Sequence, residues 1–393
     1  MTSVLSRRAL HVAVRLLGLA LAAYVVATQV RLDDTVRRRD GTVLKGAVTS
    51  STNGFLVRVA DGEAPVSVPL ESVAVERYGG REIAAVSYGL RTLGARLVHH
   101  VPTVVWVVLA LIALAIVTAW RWRWLVEALG LSLPATAAIR YTLYGVFFNL
   151  VVPGSTGGDV VKAYYAARRT GVATRAVVSV FVDRLVGLFA LVLFAATILF
   201  ASPGRAGWDA PRTLVGIVLA VALVAGALVL SRRLRRALGL SALFARLPFQ
   251  GVLREIDAAI RLYRRRPGSL GLGIVVSLCN HASTAALAFV LARALGLDVV
   301  GLADCLALVP VASLLCAIPL LPGGWGVGEL AFAYFFAPVG VAPSEAVALS
   351  VVLRLAILAS GLPGGLLWAF AREHPRRAEM AAEVAAAERA IEA

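Results

Sequence analysis

Pro153-Gly154-Ser155-Thr156-Gly157-Gly158-Asp159 closes the apolar segment 135–152, and Pro322-Gly323-Gly324-Trp325-Gly326-Val327-Gly328-Glu329 closes the apolar segment 302–321. Glycine and proline at this density break a helix and leave backbone N–H and C=O groups without partners. Lipid cannot satisfy such groups. Broken backbone at membrane depth must therefore be buried in protein or line a wet cavity. These two stretches decide the architecture, provided that the rest of the chain is a membrane protein.

Composition says that it is. Of 393 residues, 59% are hydrophobic and 16% charged, and the mean hydropathy is +0.82. Soluble domains average roughly 45–50% apolar and about 25% charged residues. The excess is gathered in runs near the ~20 residues that a helix needs to cross a bilayer. Net charge is +16, and of the 39 basic residues only Lys45 and Lys162 are lysine. Because these residues mostly flank apolar runs, they fit the positive-inside rule and anionic lipid surfaces, and not nucleic acid. Cys279, Cys305 and Cys316 lie in apolar stretches without CxxC spacing, and five scattered histidines form no zinc pattern. No metal or cofactor is expected.

Working outward, residues 1–30 read as an anchor: an apolar helix over 10–30 follows Arg7 and Arg8, without a convincing cleavage site. Residues 31–82 are different material, with turn signals at Asp40-Gly41, Asn53-Gly54 and Asp61-Gly62 between β-branched segments 42–49, 55–60 and 73–77. That pattern predicts a small five-stranded barrel or sandwich of SH3-like or Sm-like type. Helix is predicted to return at 83–100. Spans follow at 101–120, 176–201, 212–230, 271–295 and 345–370, the first ending in the basic and aromatic anchor Arg121-Trp122-Arg123-Trp124. The loop 231–270 holds ten Arg against Glu255 and Asp257, which places it in the cytoplasm. The domains are then a first membrane repeat at 83–200, a linking span and basic loop at 201–270, a second repeat at 271–371 and a cytoplasmic tail at 372–393. Both termini are expected inside and the β insert outside.

The repeat shows when the sequence slides against itself by 170 positions. Gly154 meets Gly324, Gly158 meets Gly328, Asp159 meets Glu329, Tyr164 meets Tyr334, and Arg184-Leu185 meets Arg354-Leu355. From 154 to 188, eleven of 35 positions are identical. The same shift carries 101–120 onto 271–290 and 176–201 onto 346–371. Each copy is a span, a broken hairpin and a second span, and the extra span 212–230 inverts the second copy. The first break then opens towards the cytoplasm and the second towards the outside. The predicted class is an all-α polytopic membrane protein with inverted-topology repeats and two broken, re-entrant-type hairpins, plus the small all-β extracytoplasmic insert. Interrupted segments at matching places in inverted halves mark alternating-access transporters.

The candidate substrate-binding residues are Asn149, Gly154, Gly157, Gly158, Asp159, Lys162, Asp183, Arg184, Gly324, Gly328, Glu329 and Arg354. A break that opens a helix presents free N–H groups to phosphate or carboxylate. Asp159 and Glu329 open such helices, either as N-caps and structural partners or as groups that handle substrate or a proton. Arg184 and Arg354 sit inside apolar spans, where an ionised group faces a partner or a cavity. They pair with Asp159 or Glu329, or they bind phosphate. Asp183 points to another helix face than Arg184 and needs a different partner, with Lys162 in reach. Lys162 is alternatively a snorkelling surface residue. Asn149 satisfies a loosened backbone group or binds a head group. Asn280 and His281 read as interhelical hydrogen-bond partners.

The run from Phe148-Asn149 through Pro153-Gly154, Gly157-Gly158-Asp159 and Lys162-Ala163-Tyr164, then Asp183-Arg184-Leu185 and Gly187, and finally the 322–329 break, resembles the membrane region of the lysylphosphatidylglycerol synthase/flippase family. The resemblance covers about 101–370. Lys162 stands where that family commonly has Arg, which keeps the charge and loses the bidentate fork. Asp183 stands where an acid, often Glu, precedes the Arg. The resemblance implies translocation of an anionic phospholipid, or of a lipid-linked intermediate of polyprenyl-phosphate type, across the cytoplasmic (inner) membrane. It implies no aminoacyl-lipid synthesis, since that activity belongs to a soluble C-terminal domain and only residues 372–393 follow the last span. A transporter and not an enzyme is therefore expected, with membrane lipids as partners. Two other readings stand beside it. One is a membrane transferase using a polyprenyl-phosphate-linked sugar, for which Asp33-Asp34 is the only adjacent acid pair, expected to be solvated. The other is an envelope scaffold that docks a protein partner through 31–82.

Overall fold

The computed structural model describes residues 32–51, 53–59, 64–78, 81–151, 157–205, 207–230, 262–263, 266–317 and 326–371. The expected anchor at 10–30, most of the basic loop 231–270, Gly154, Gly324 and the tail 372–393 lie outside the described residues.

Among the described residues five helices are long and apolar enough to cross a membrane, at Val101–Ala128, Ala173–Ala201, Asp209–Leu228, Gly268–Ala294 and Pro343–Ala369. They coincide with the five spans read downstream of residue 100. In chain order the helices are α1 Leu90–His99, α2 Val101–Ala128, α3 Ala135–Val151, α4 Gly157–Thr170, α5 Ala173–Ala201, α6 Asp209–Leu230, α7 Pro267–Ala294, α8 Leu302–Cys316, α9 Val327–Phe336 and α10 Pro343–Ala369. Each broken segment is thus a helix pair, α3–α4 and α8–α9.

The chain divides into two compact units. One comprises Met1–Val108, Thr197–Thr213 and Thr284–Ile357; the other comprises Leu109–Ala196, Leu214–Ser283 and Leu358–Ala393. Every one of the five spans contributes one end to each unit. Each hairpin falls whole into one unit, α3–α4 into the second and α8–α9 into the first.

In the first unit, residues 35–87 form eight short strands: β1 Thr35–Arg37, β2 Val43–Lys45, β3 Ala47–Ser51, β4 Gly54–Arg58, β5 Val66–Pro69, β6 Val75–Tyr78, β7 Arg81–Ala84 and β8 Val86–Ser87. They pair as three antiparallel sheets, β2-β1-β8, β3-β4-β5 and β6-β7, in place of the expected five-stranded unit. Val36, Val48, Val57, Val68 and Val73 form the buried centre. The helix expected from residue 83 begins only at Leu90. Residues 83–84 and 86–87 remain strand, with a bend at Ala85, because Val86 pairs with Val36 and Ile83 with Glu76, and such pairing outweighs the local helix preference of Ala84 and Ala85.

Asp34, expected to be solvated, is buried. Its carboxylate accepts from Val48 N–H at 2.8 Å, Gly89 N–H at 2.7 Å and Thr92 Oγ at 2.8 Å. Three donors replace the lost hydration and tie the strands to α1. The β layer also meets the start of α10: Ser87 and Ser344 hydroxyls lie 2.7 Å apart, and Tyr88 N–H donates to buried Glu345 at 3.2 Å.

The helices that the self-comparison pairs are offset by two values. Helices α2 and α7 have 28 residues each and lie 166 positions apart at both ends. Both close on a glycine with φ 76°, Gly130 and Gly296, in the left-handed conformation that suits glycine past a helix end. Leu131 N–H returns to Val126 C=O, and Leu297 N–H to Ala292 C=O. Helices α4 and α9, then α5 and α10, start 170 positions apart. Span 101–120 therefore falls on 267–286 and not on 271–290. The reason is that four more residues separate α7 from α9 than separate α2 from α4.

Candidate functional site

In the second unit, α4 packs on α3 where glycine meets glycine. A Cβ on Gly158 would collide with the Gly145 carbonyl and the Asn149 side chain. Asn149 turns this closeness to use: its Oδ1 accepts the Gly158 N–H at 2.9 Å, satisfying a donor in the first turn of α4. Gly157 opens the helix. Tyr144, Tyr164 and Tyr165 seal the other side, with Trp368 Nε1 donating to Tyr165 Oη at 3.1 Å.

From this helix two side chains reach α5. Asp159 accepts from Arg184 Nε at 2.5 Å, and Lys162 Nζ donates to Asp183 Oδ2 at 2.9 Å. The two bridges have opposite polarity, so α4 supplies an acid and then a base, and α5 an acid and then a base. Arg184 is half exposed, whereas Asp183 and Lys162 are buried. The snorkelling alternative for Lys162 is thereby excluded, and the partner sought for Asp183 is present.

Asp183 has a second cation that sequence reasoning missed. Arg121 donates to its Oδ1 from Nε at 3.0 Å and from Nη2 at 2.8 Å, and from Nη1 to Ser277 Oγ at 2.6 Å. Ser277 Oγ–H in turn donates to Gly273 C=O at 2.7 Å. Trp122 lies fully buried beside it, its ring 4.1 Å from Lys162 Nζ and its Nε1–H on Ser179 Oγ. Within the Arg-Trp-Arg-Trp run, Arg121 and Trp122 are buried, whereas Arg123 pairs with Glu127 and lies over Trp120. His281, as expected, bridges to a neighbouring helix, with Nε2 3.1 Å from Gly187 C=O.

The first unit repeats half of this. Glu329 accepts from Arg354 Nε at 3.1 Å through Oε1 and from Gly326 N–H through Oε2, so one carboxylate both caps α9 and pairs with α10. Gly328 is buried where a Cβ would press on Arg354 and Cys316. In both bridges acid and arginine stand 25 residues apart, and neither bridge joins one hairpin to the span that follows the other. At the 170-residue spacing Lys162 and Asp183 fall on Phe332 and Leu353, so the second bridge has no counterpart.

The structure therefore brings Asn149, Gly157, Gly158, Asp159, Lys162, Asp183 and Arg184 together in one unit, and Gly328, Glu329 and Arg354 in the other. A family model described as the lysylphosphatidylglycerol synthase TM region matches residues 83–365. No curated protein and no solved structure matches the chain.

Proposed function

Since the chain belongs to the lysylphosphatidylglycerol synthase transmembrane-region family, we propose that it moves an anionic phospholipid or lipid-linked intermediate between leaflets by alternating access of two inverted repeats. The observation that carries this reading is the duplicated acid–arginine bridge, Asp159–Arg184 and Glu329–Arg354, at the start of the short helix after each break. A bridge of this kind is a two-state element: closed, it joins the short helix to its span; open, it frees a guanidinium for a phosphate. The arginine-rich loop 231–270 supports cytoplasmic placement of both termini in the cytoplasmic membrane.

The test is leaflet exchange of a fluorescent phosphatidylglycerol in vesicles holding the purified chain. Arg184→Ala and Arg354→Ala are each expected to slow exchange by about 10-fold or more, the worth of one charge-assisted hydrogen bond. Insertion should remain normal. Unchanged exchange in both variants would remove the basis for the reading.

A further inference from the structure

Arg121, Lys162 and Asp183 form a buried cluster in the second unit, where two basic side chains share one carboxylate. Arg121 holds Oδ1 through Nε at 3.0 Å and Nη2 at 2.8 Å, so Arg121 and Asp183 are by themselves a complete, neutral pair. Lys162 reaches the remaining Oδ2 at 2.9 Å. Among the described residues no other acid touches either base; Asp159, one turn back on α4, is held by Arg184. The Trp122 ring covers Nζ, Gly145 of α3 lies beside the Lys162 Cβ, and His281 of α7 is turned to Gly187 C=O.

The charge of this cluster therefore depends on one group. A guanidinium stays charged inside a protein, whereas a lysine taken out of water can release its proton. With that proton the cluster has one positive charge in excess; without it the cluster is neutral, the state that burial favours. Nothing in the packing demands a lysine here. At the 170-residue offset Lys162 falls on Phe332 and Asp183 on Leu353, and at 166 residues Arg121 falls on Leu287, all three buried. The Glu329–Arg354 bridge forms without them. The cluster is thus an addition to the bridge and not a condition of it.

We propose that Lys162 is the proton-binding site that couples transport to a proton gradient, with Asp183 as its fixed counter-ion. This rests on the transport reading and adds its energy source. The step is one N–H bond. The Lys162 ammonium gives its proton to water and becomes an amine, then regains a proton from water. Asp183 stays ionised throughout because Arg121 holds it, which makes Arg121 a positioning residue. The link to cargo runs through α4 and α5, since the Lys162–Asp183 and Asp159–Arg184 bridges join the same two helices. An anion that takes Arg184 from Asp159 frees a carboxylate one turn from Lys162. That added negative charge favours the ammonium, and by reciprocity the bound proton favours the anion. Proton and anion then move together.

The chain has two lysines, Lys45 and Lys162, so selective labelling reads the amine directly. Purified full chain grown on lysine carrying carbon-13 at Cε gives two lysine signals by NMR, which Lys45→Arg assigns. The Lys162 signal should titrate at lower pH than that of the exposed Lys45. A Lys162 signal that follows Lys45, or that reports a neutral amine at every pH where the protein is folded, overturns the proposal. Vesicles with a trace of fluorescent phosphatidylglycerol give the second readout. One proton per lipid means that a gradient of about one pH unit should enrich the lipid about 10-fold in the alkaline leaflet. Lys162→Met, fixed neutral, and Lys162→Arg, fixed charged, should both lose that enrichment; a lysine with a merely structural role would be rescued by arginine. Enrichment that survives Lys162→Arg overturns coupling through this residue. Wild-type exchange that ignores the gradient overturns coupling and leaves transport standing, whereas a titrating Lys162 in a chain that exchanges no lipid refutes transport and leaves the proton site standing.

Discussion

Lys162 and Asp183 were legible as a pair because each, taken alone, is an orphan charge in an apolar chain. Arg121 was not. Its neighbours Trp122, Arg123 and Trp124 spell an interfacial anchor, and nothing local reveals that one arginine of the run turns inward to Asp183, 62 residues on. Asp34 hid for the same reason, since its partners at 48, 89 and 92 are adjacent only once the strands have paired. Its role gives a direct test. Asp34→Ala strands three donors in the β layer, at roughly 1–3 kcal/mol for each buried group left unsatisfied. Part of that is regained where Thr92 turns to water, so a net loss of about 3 kcal/mol is expected. Thermal unfolding of the purified chain measures it, with Asp33→Ala as the contrast, because Asp33 makes an exposed pair with Arg91. Equal shifts in the two variants would mean that Asp34 is not the tie between strands and helix.

At the scale of elements, the spans were the easiest reading, since length and hydropathy suffice to find them. The hairpins were half-legible. Glycine density located both breaks, but the use to which Gly158 is put, near-contact with the Gly145 carbonyl, is a property of two helices and of neither alone. The strands at 81–87 were missed because alanine and glutamate there favour helix, while the deciding pairs, Val86 with Val36 and Glu76 with Ile83, come from elsewhere in the chain. The glycine contact predicts how the element fails. Gly158→Val would drive α4 away from α3 and withdraw the N–H held by Asn149. Leaflet exchange should fall to background while the β layer, which belongs to the other unit, keeps its fold. Proteolysis of the insert, compared between variant and wild type, checks the second half of that statement. A variant with full exchange activity would show that α3 and α4 need not meet so closely.

For the molecule as a whole, the two spacings separate what the copies share from what they do not. Equal helix lengths at 166 and equal helix starts at 170 mean that the second copy differs chiefly by four residues around its break. A self-comparison with one fixed shift sees the matching glycines and places α2 wrongly by about one turn of helix. The acid–arginine bridge recurs at the 170-residue spacing, whereas Arg121, Lys162 and Asp183 fall on buried apolar residues, so the three-residue cluster has no counterpart. If the copies are inverted, α4 and α9 begin on opposite sides of the bilayer. Gly157→Cys and Val327→Cys stand 170 residues apart at equivalent first positions, and each would be introduced into a chain in which Cys279, Cys305 and Cys316 are replaced by serine. A membrane-impermeant maleimide should then label the Val327→Cys chain in intact cells, and the Gly157→Cys chain only after the inner side is exposed. Labelling of both from one side would leave two copies in parallel, and a lipid bridged first by Arg184 and then by Arg354 would never have crossed the membrane.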